Sequence, residues 1–231
     1  MPKVARIKTG IHGLDRLIQG GFKKKSINLI AGEAGSGKTI FAIQFLIEGI
    51  KNGEPGIYIT FEERKEKLYE DMLSFGWNLA KYEKEKKFAF IEYTPEQVKT
   101  VLAEGGGLVE NTVLKLKAKR LVIDSITSFT LMYQEELAKR EASLSLFELI
   151  NKWGCTAVLT SQVMSTKDAT IIAALEFEAD SIILLYHFRK KGTRIRALEI
   201  LKMRGTKHPG KTFGIKIDEN GLKVTDEVVV F

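Results

Sequence analysis

The sequence predicts an α/β fold, a mainly parallel central sheet flanked by helices that finishes in antiparallel strands. Three observations predict it. Short apolar runs alternate with helix-length stretches between Ser26 and Gln162, the pattern of a parallel sheet covered on both faces. A glycine-rich stretch, Gly32-Glu33-Ala34-Gly35-Ser36-Gly37-Lys38-Thr39, joins the first of those runs to a long apolar helix. From Asp180 onward the runs pair up around turn residues instead, which is hairpin chemistry.

At 231 residues the chain is long enough for one large core, and a single domain over 1–231 is expected. Residues 1–25 read as a leading segment. In it, Thr9-Gly10-Ile11-His12-Gly13-Leu14-Asp15 turns into a short amphipathic helix ending at Gly20-Gly21, and Lys23-Lys24-Lys25 form a solvated edge. Residues 26–31 are the first strand. Residues 40–47 continue past strand length toward Gly49, as a buried helix does. Asn52-Gly53-Glu54-Pro55-Gly56 is a turn, 57–61 a strand and 64–76 a polar helix.

Gly76-Trp77 and a lysine-rich segment lead to a strand at 88–91. Residues 95–119 read as helix interrupted at Gly105-Gly106-Gly107. A buried strand, 121–124, ends in the carboxylate of Asp124. A long helix over 135–152 precedes the strand at 155–160, which ends in Ser161-Gln162. One hairpin pairs 181–186 with 195–201 around Lys190-Lys191-Gly192-Thr193. The last pairs 213–217 with 222–224 around Asp218-Glu219-Asn220-Gly221, within an antiparallel close over 180–231.

Composition excludes several classes. The chain is 44% hydrophobic but has no apolar run of bilayer length and no signal-peptide pattern at Met1-Pro2-Lys3. No membrane partner and a cytoplasmic location are therefore expected. One cysteine, Cys155, excludes an internal disulfide framework, and its apolar surroundings mark a buried structural thiol. The net charge of +7 suits nucleic acid and equally suits plain solubility. Abundant Lys and Glu beside few Asn and Gln point to a heat-adapted source.

The glycine-rich stretch fits G-x-x-x-x-G-K-[ST], the phosphate-binding loop of nucleotide hydrolases. Glycine lets the backbone turn successive N–H groups inward at an anion. The loop then opens a helix, whose N-terminus favours negative charge. Gly35, Ser36, Gly37, Lys38, Thr39 and Ile40 would hold the phosphates of ATP. Among them Lys38 reaches the β- and γ-phosphates, and the Thr39 hydroxyl ligates Mg²⁺. A bare glycine turn between strand and helix is the competing account, and the flanking strand and helix argue against it.

Ligands of an open parallel sheet sit beyond the carboxyl ends of the strands. Three polar groups end strands there: Glu62-Glu63, Asp124 and Gln162. Asp124 fits the second acidic site of these hydrolases, holding Mg²⁺ through water; an N-cap carboxylate is its alternative. Glu62 is the candidate for polarising the attacking water, with Glu63 assisting, against the alternative that either caps the next helix. Gln162 is placed to sense the γ-phosphate or simply to form a turn.

These residues also carry a family resemblance. Gly10 to Gly13, Gly20-Gly21, the phosphate loop, Thr60-Phe61-Glu62-Glu63, Ser74-Phe75-Gly76-Trp77, Asp124-Ser125 and Leu201-Lys202-Met203-Arg204-Gly205-Thr206-Lys207-His208 fall in the order seen in KaiC. The chain resembles one KaiC domain of the wider RecA/RadA ATPase group, and most resembles the single-domain archaeal members. The resemblance implies a RecA-like fold and a homo-oligomer, a hexameric ring with ATP between subunits. It implies that Glu62 and Glu63 are the catalytic pair. It further implies that Lys202, Met203, Arg204, Thr206 and His208 reach the nucleotide of the neighbouring subunit, with Ser74 and Asp218 matching further contacts there. Cations supplied in trans suit the charge spread over a transferring phosphoryl group. The clock protein's autokinase half has adjacent Ser and Thr acceptors just before the strand at 181–186. This chain has Leu175-Glu176-Phe177-Glu178 there, which argues against that phosphorylation.

Three functional readings follow. The first is a Mg²⁺-dependent ATPase, turning ATP into ADP in a ring and coupled to an unidentified partner. The second is a RadA-paralogue-like regulator that binds DNA. The channel-facing loops after Asp124 and Gln162 argue against it, with little basic besides Lys167 and with Glu135, Glu136, Glu176 and Glu178. Lys115-Lys117-Lys119-Arg120 and Arg189-Lys190-Lys191 remain as outer basic clusters. The third is a nucleotide-gated signalling scaffold or autokinase.

Overall fold

A computed structural model of the chain describes residues 4–94, 97, 100, 101, 105, 107–162 and 178–230. A two-stranded ladder forms first, β1 (Arg6–Ile7) against β2 (Phe22–Lys23), with the one-turn helix α1 (Leu14–Leu17) between them. Then β3 (Ile27–Gly32), α2 (Lys38–Lys51), β4 (Gly56–Thr60), α3 (Lys65–Leu73), α4 (Leu79–Lys84) and β5 (Phe88–Glu92) follow in order. The next elements are α5 (Gly107–Leu116), β6 (Arg120–Asp124), α6 (Ile126–Leu131), α7 (Glu136–Trp153) and β7 (Thr156–Gln162). Four strands close the chain: β8 (Ser181–Lys190), β9 (Thr193–Met203), β10 (Thr212–Asp218) and β11 (Gly221–Val228).

Nine strands form one sheet in the order β11-β10-β9-β8-β3-β7-β6-β4-β5. The pairs from β8 through β3 to β5 are parallel, and β8 to β11 are antiparallel. The parallel-then-antiparallel α/β architecture is the expected one. Period-two alternation divides the buried side chains between the two faces. Ile30, Tyr58, Val122 and Val158 pack under α2 and the leading segment. Leu29, Ile59, Ile123 and Leu159 pack under α5, α6 and α7. Both faces are covered, which is why these strands read as near-continuous apolar runs.

Gly105 and Gly107 break the helical stretch as expected: residues 97, 100 and 101 are helical, Gly105 is a turn and Gly107 opens α5, with the rest of 95–106 outside the described residues. Several other details differ from the sequence reading. Helices α4 and α6 are additions, each short and each capped by a side chain: Asn78 accepts from the Lys81 N–H and Ser125 from the Ser128 N–H. Lys23 pairs with Arg6 in the small ladder instead of lying free at an edge. The hairpin strands run longer, so their turns shrink to Lys191-Gly192 and Glu219-Asn220. Arg120, read as part of a surface basic cluster, is buried at 1% exposure. Its guanidinium bonds Glu54 at 2.6 and 2.8 Å, the carbonyls of Lys8 and Phe45, and lies over the Phe45 ring. Burial pulls its pKa down, and Glu54 opposes that shift.

Two buried amides fix the layers. Asn28 in β3 joins β7 and β8 by donating to the Ala157 carbonyl and accepting from the Ser181 hydroxyl. Gln44 in α2 donates to the carbonyls of Gly10 and Leu222 and accepts from the Leu222 N–H. Cys155 is buried, with its thiol pushed up to about 11, as expected of an inert structural cysteine. Among the described residues no helix is long and apolar enough to cross a membrane.

Candidate functional site

The site is built at the carboxyl ends of the parallel strands. Register sets Gly32 of β3 beside Gln162 of β7, and Thr60 of β4 beside Asp124 of β6. The loop from Glu33 to Gly37 leaves β3 and opens α2. Its N-cap is Gly37, at φ 102°, with no side chain capping the helix. Left-handed backbone of that kind favours glycine, and a Cβ there would meet Ile217 Cδ1 at 3.0 Å. The first N–H groups of a fourteen-residue helix therefore stand uncapped at the loop. Ser36 is fully buried, and its hydroxyl has no hydrogen-bond partner. Uncapped N–H groups and an orphaned hydroxyl make a cradle that fits a phosphate chain.

Lys38 folds over the loop, its Nζ donating to the carbonyls of Gly32 and Glu33, each at 2.9 Å. Burial lowers its pKa, while Asp124 and Glu33 raise it. A cavity of about 400 Å³ is lined by Gly35, Gly37, Lys38, Thr39 and Ile40, together with Arg196 and Ile217.

Asp124 is the hub of the site's side chains. The Thr39 hydroxyl donates to its Oδ2 at 2.8 Å, and the Tyr58 hydroxyl donates to the same oxygen at 2.7 Å. Thr160 donates to Oδ1. Burial first, and then the Asp124 charge, lift the Tyr58 phenol well above its ordinary range, so Tyr58 stays protonated and remains a donor. A carboxylate beside a hydroxyl is a hard oxygen pair that fits Mg²⁺, which takes one or two carboxylates and completes its shell with substrate phosphates and water. Among the described residues no group of three or more His, Cys, Asp or Glu side chains offers an alternative metal centre.

Glu62 and Glu63 follow β4, each with its N–H bonded to the Thr60 hydroxyl, at 3.3 and 3.0 Å. Glu62 is exposed and Glu63 half-buried. The Glu63 charge adds to the upward shift of the Tyr58 phenol. Gln162 ends β7, its N–H donating to the Thr127 hydroxyl at 2.8 Å; residues 163–177 after it, with Lys167 and residues 175–177 of the acceptor region, lie outside the described residues. Asp218 ends β10 next to the cavity-lining Ile217. It is held below the usual carboxylate range by hydrogen bonds from Lys223 and the Asn220 N–H. Ser74, exposed at the end of α3, donates to the Asp71 carbonyl at 2.6 Å.

Lys202, Met203, Arg204, Thr206 and His208 are not brought to this site. Met203 pairs with Ser181, and Ser181 with Asn28 at the start of β3. That places the segment about 13 Å or more from the loop along the strand direction. Met203 and Thr206 are nearly buried, and Thr206 accepts from Arg6 Nη2 at 2.8 Å.

Tyr58, Thr160 and Arg196 escaped the sequence reading. Arg196 Nε donates to the Gly35 carbonyl at 2.9 Å, and His187, its register partner, stands 3.4 Å from the Ala34 carbonyl. Tyr58 and Thr160 each lie two residues before a strand end, on the face of the end group, and that offset is the signal that could have found them. Arg196 had no local signal, because only the antiparallel register carries it to the loop.

Comparison with known proteins agrees with this geometry. The KaiC ATPase family model matches residues 7–229. A UPF0273 protein of Thermotoga maritima is 35% identical, with 96% of each chain covered. Circadian clock protein KaiC3 of Synechocystis sp. is also 35% identical over 93% of this chain, which spans 44% of that longer protein. A solved structure, a KaiC-like protein of the hyperthermophile Pyrococcus horikoshii, superposes with a TM-score of 0.86 at 39% identity, covering 96% of this chain and all of that one. Matched by the family model over nearly its whole length and by relatives covered end to end, the chain belongs to the KaiC family of ATPases.

Proposed function

We infer that the chain is a Mg²⁺-dependent ATPase that binds ATP at the loop of residues 35–40 and works as a subunit of a hexameric ring. The observation that carries this reading is the hydroxyl-anchored Asp124 beside the uncapped start of α2. Lys38 neutralises the phosphates, and the α2 N–H groups hold their oxygens. Thr39 and Asp124 would hold Mg²⁺, which when bound supplies charge neutralisation between the β- and γ-phosphates. Glu62, with Glu63, orients and polarises the water that attacks the γ-phosphorus. Gln162, one strand from the loop, registers whether that phosphate is present.

The 202–208 segment supports the ring. Standing at the opposite end of its own sheet, it is out of reach of its own loop, so any nucleotide it touches belongs to a neighbour. Titration calorimetry with ATP and Mg²⁺ tests the site. Wild-type chain takes up nucleotide, and Lys38→Ala loses it by at least about a hundredfold. Equal affinity in the two proteins overturns the assignment. Mass measurement with and without ATP tests the ring, which fails if only monomer is found in both.

A further inference from the structure

The end of the sheet farthest from the phosphate loop carries a row of lysines. Lys24 and Lys25 precede β3, Lys119 precedes β6, and Lys86 and Lys87 precede β5, with Lys117 just before Lys119. Lys24, Lys25, Lys86, Lys117 and Lys119 are exposed, and among the described residues none of the five takes part in an ion pair. From β3 to β5 the row crosses β7, β6 and β4, four strand spacings or about 19 Å. A cleft of about 360 Å³ opens between Lys24, Lys25 and Lys119, floored by Gly53 and Gly154. Glu54, the acid in that cleft, is already paired with buried Arg120.

The backbone adds an independent observation. Lys25, Lys86 and Lys117 sit at φ 63°, 53° and 53°, in the left-handed region. Lys86 and Lys117 occupy the position after a helix where two hydrogen bonds close the end: Lys86 N–H to Glu83 O with Lys87 N–H to Tyr82 O, and Lys117 N–H to Leu114 O with Ala118 N–H to Val113 O. Glycine is the residue that fits that position, and α3 ends the same way with Gly76. Lysine there is locally unfavourable. Attraction of cations to helix C-termini accounts for part of the pattern, but Lys24, Lys25 and Lys119 lead into strands and end no helix.

The geometry points to a docking surface for duplex nucleic acid, gripped through its phosphates by Lys24, Lys25, Lys86, Lys117 and Lys119. Lysines act as point charges on a phosphate backbone and read no sequence. Single strands are held largely by stacking on exposed aromatics, and among the described residues no exposed large hydrophobic side chain is aromatic. This surface is remote from the chain's own phosphate loop and shares its sheet end with the 202–208 segment, so duplex binding is tested without nucleotide.

Fluorescence anisotropy with the full chain and a labelled DNA duplex of mixed sequence tests it, across a salt titration without nucleotide. Five phosphate contacts give a slope of log affinity on log salt of about −4.5. A fourfold variant, Lys25→Asn, Lys86→Gly, Lys117→Gly and Lys119→Gln, should lose at least about tenfold in affinity and flatten the slope by about 3.6. Its melting temperature should hold or rise, since three of the changes suit left-handed backbone; Lys191→Gly at the other end of the sheet should leave binding unchanged. The proposal is overturned if the duplex does not bind at low salt, if the fourfold variant binds as well as wild type, or if Lys191→Gly weakens binding as much. It is also overturned if a single strand binds more tightly than the duplex, or if polyglutamate binds where the duplex does not.

Discussion

The two ends of the same parallel strands behave as opposites. At the carboxyl ends the polar groups hold one another: Asp124 takes hydroxyls from Thr39, Tyr58 and Thr160, and Lys38 bonds two loop carbonyls. At the amino ends lysines stand in solvent, and Arg120 alone of the basic run 115–120 is drawn inside. The contrast follows from chain direction. Helix α2 starts at the first end, offering N–H groups to an anion. Helices α2, α4, α5 and α7 finish at the second, where backbone carbonyls offer an anion nothing and side chains must supply any positive charge. One end offers an anion fixed geometry, the other offers charge alone.

Substitutions can break or sharpen that contrast. The largest effect is expected from Glu62→Gln, which keeps the shape but removes the proposed base. Turnover should fall about a thousandfold in a phosphate-release assay while ATP affinity holds; normal turnover would transfer the role to Glu63, the half-buried member of the pair. Next comes Arg120→Leu, which strands Glu54 and removes the guanidinium donor to the carbonyls of Lys8 and Phe45. A loss of about 3 kcal/mol in denaturant unfolding is expected, and a loss under 1 kcal/mol would mean that this cation matters no more than its exposed neighbours. The smallest is Tyr58→Phe, which removes one of three donors to Asp124. Outer-sphere partners of this kind typically contribute tenfold or more to metal affinity, so the Mg²⁺ concentration for half-maximal turnover should rise about tenfold, with the protein still folded.

The same contrast explains what was legible beforehand. The phosphate loop and Asp124 are local patterns, a glycine spacing and an apolar run ending in an acid, and they survive being read one residue at a time. Tyr58 and Thr160 look like ordinary strand formers until register places β4 and β7 on either side of β6. Arg196 looks like one more charge on a hairpin. Helices α4 and α6 are six residues each, too short for a 3.6-residue period to declare itself, and their caps, Asn78 and Ser125, show only in the structure. The ladder of β1 and β2 has only two residues on each side, and its cause is tertiary: Arg6 reaches the carbonyls of Ile18 and Gly21 and the hydroxyl of Thr206.

Gln44 has a mechanical consequence. Its amide imitates a peptide unit, splicing the helix behind the phosphate loop to Gly10 on one side and Leu222 on the other. The helix cannot slide along its axis without three bonds failing together, so the loop is anchored by residues drawn from near both extremities of the polypeptide. Gln44→Leu would keep the bulk and cut the anchor, and slack would then be felt first at Gly37, where Ile217 and Leu222 leave no room for a Cβ.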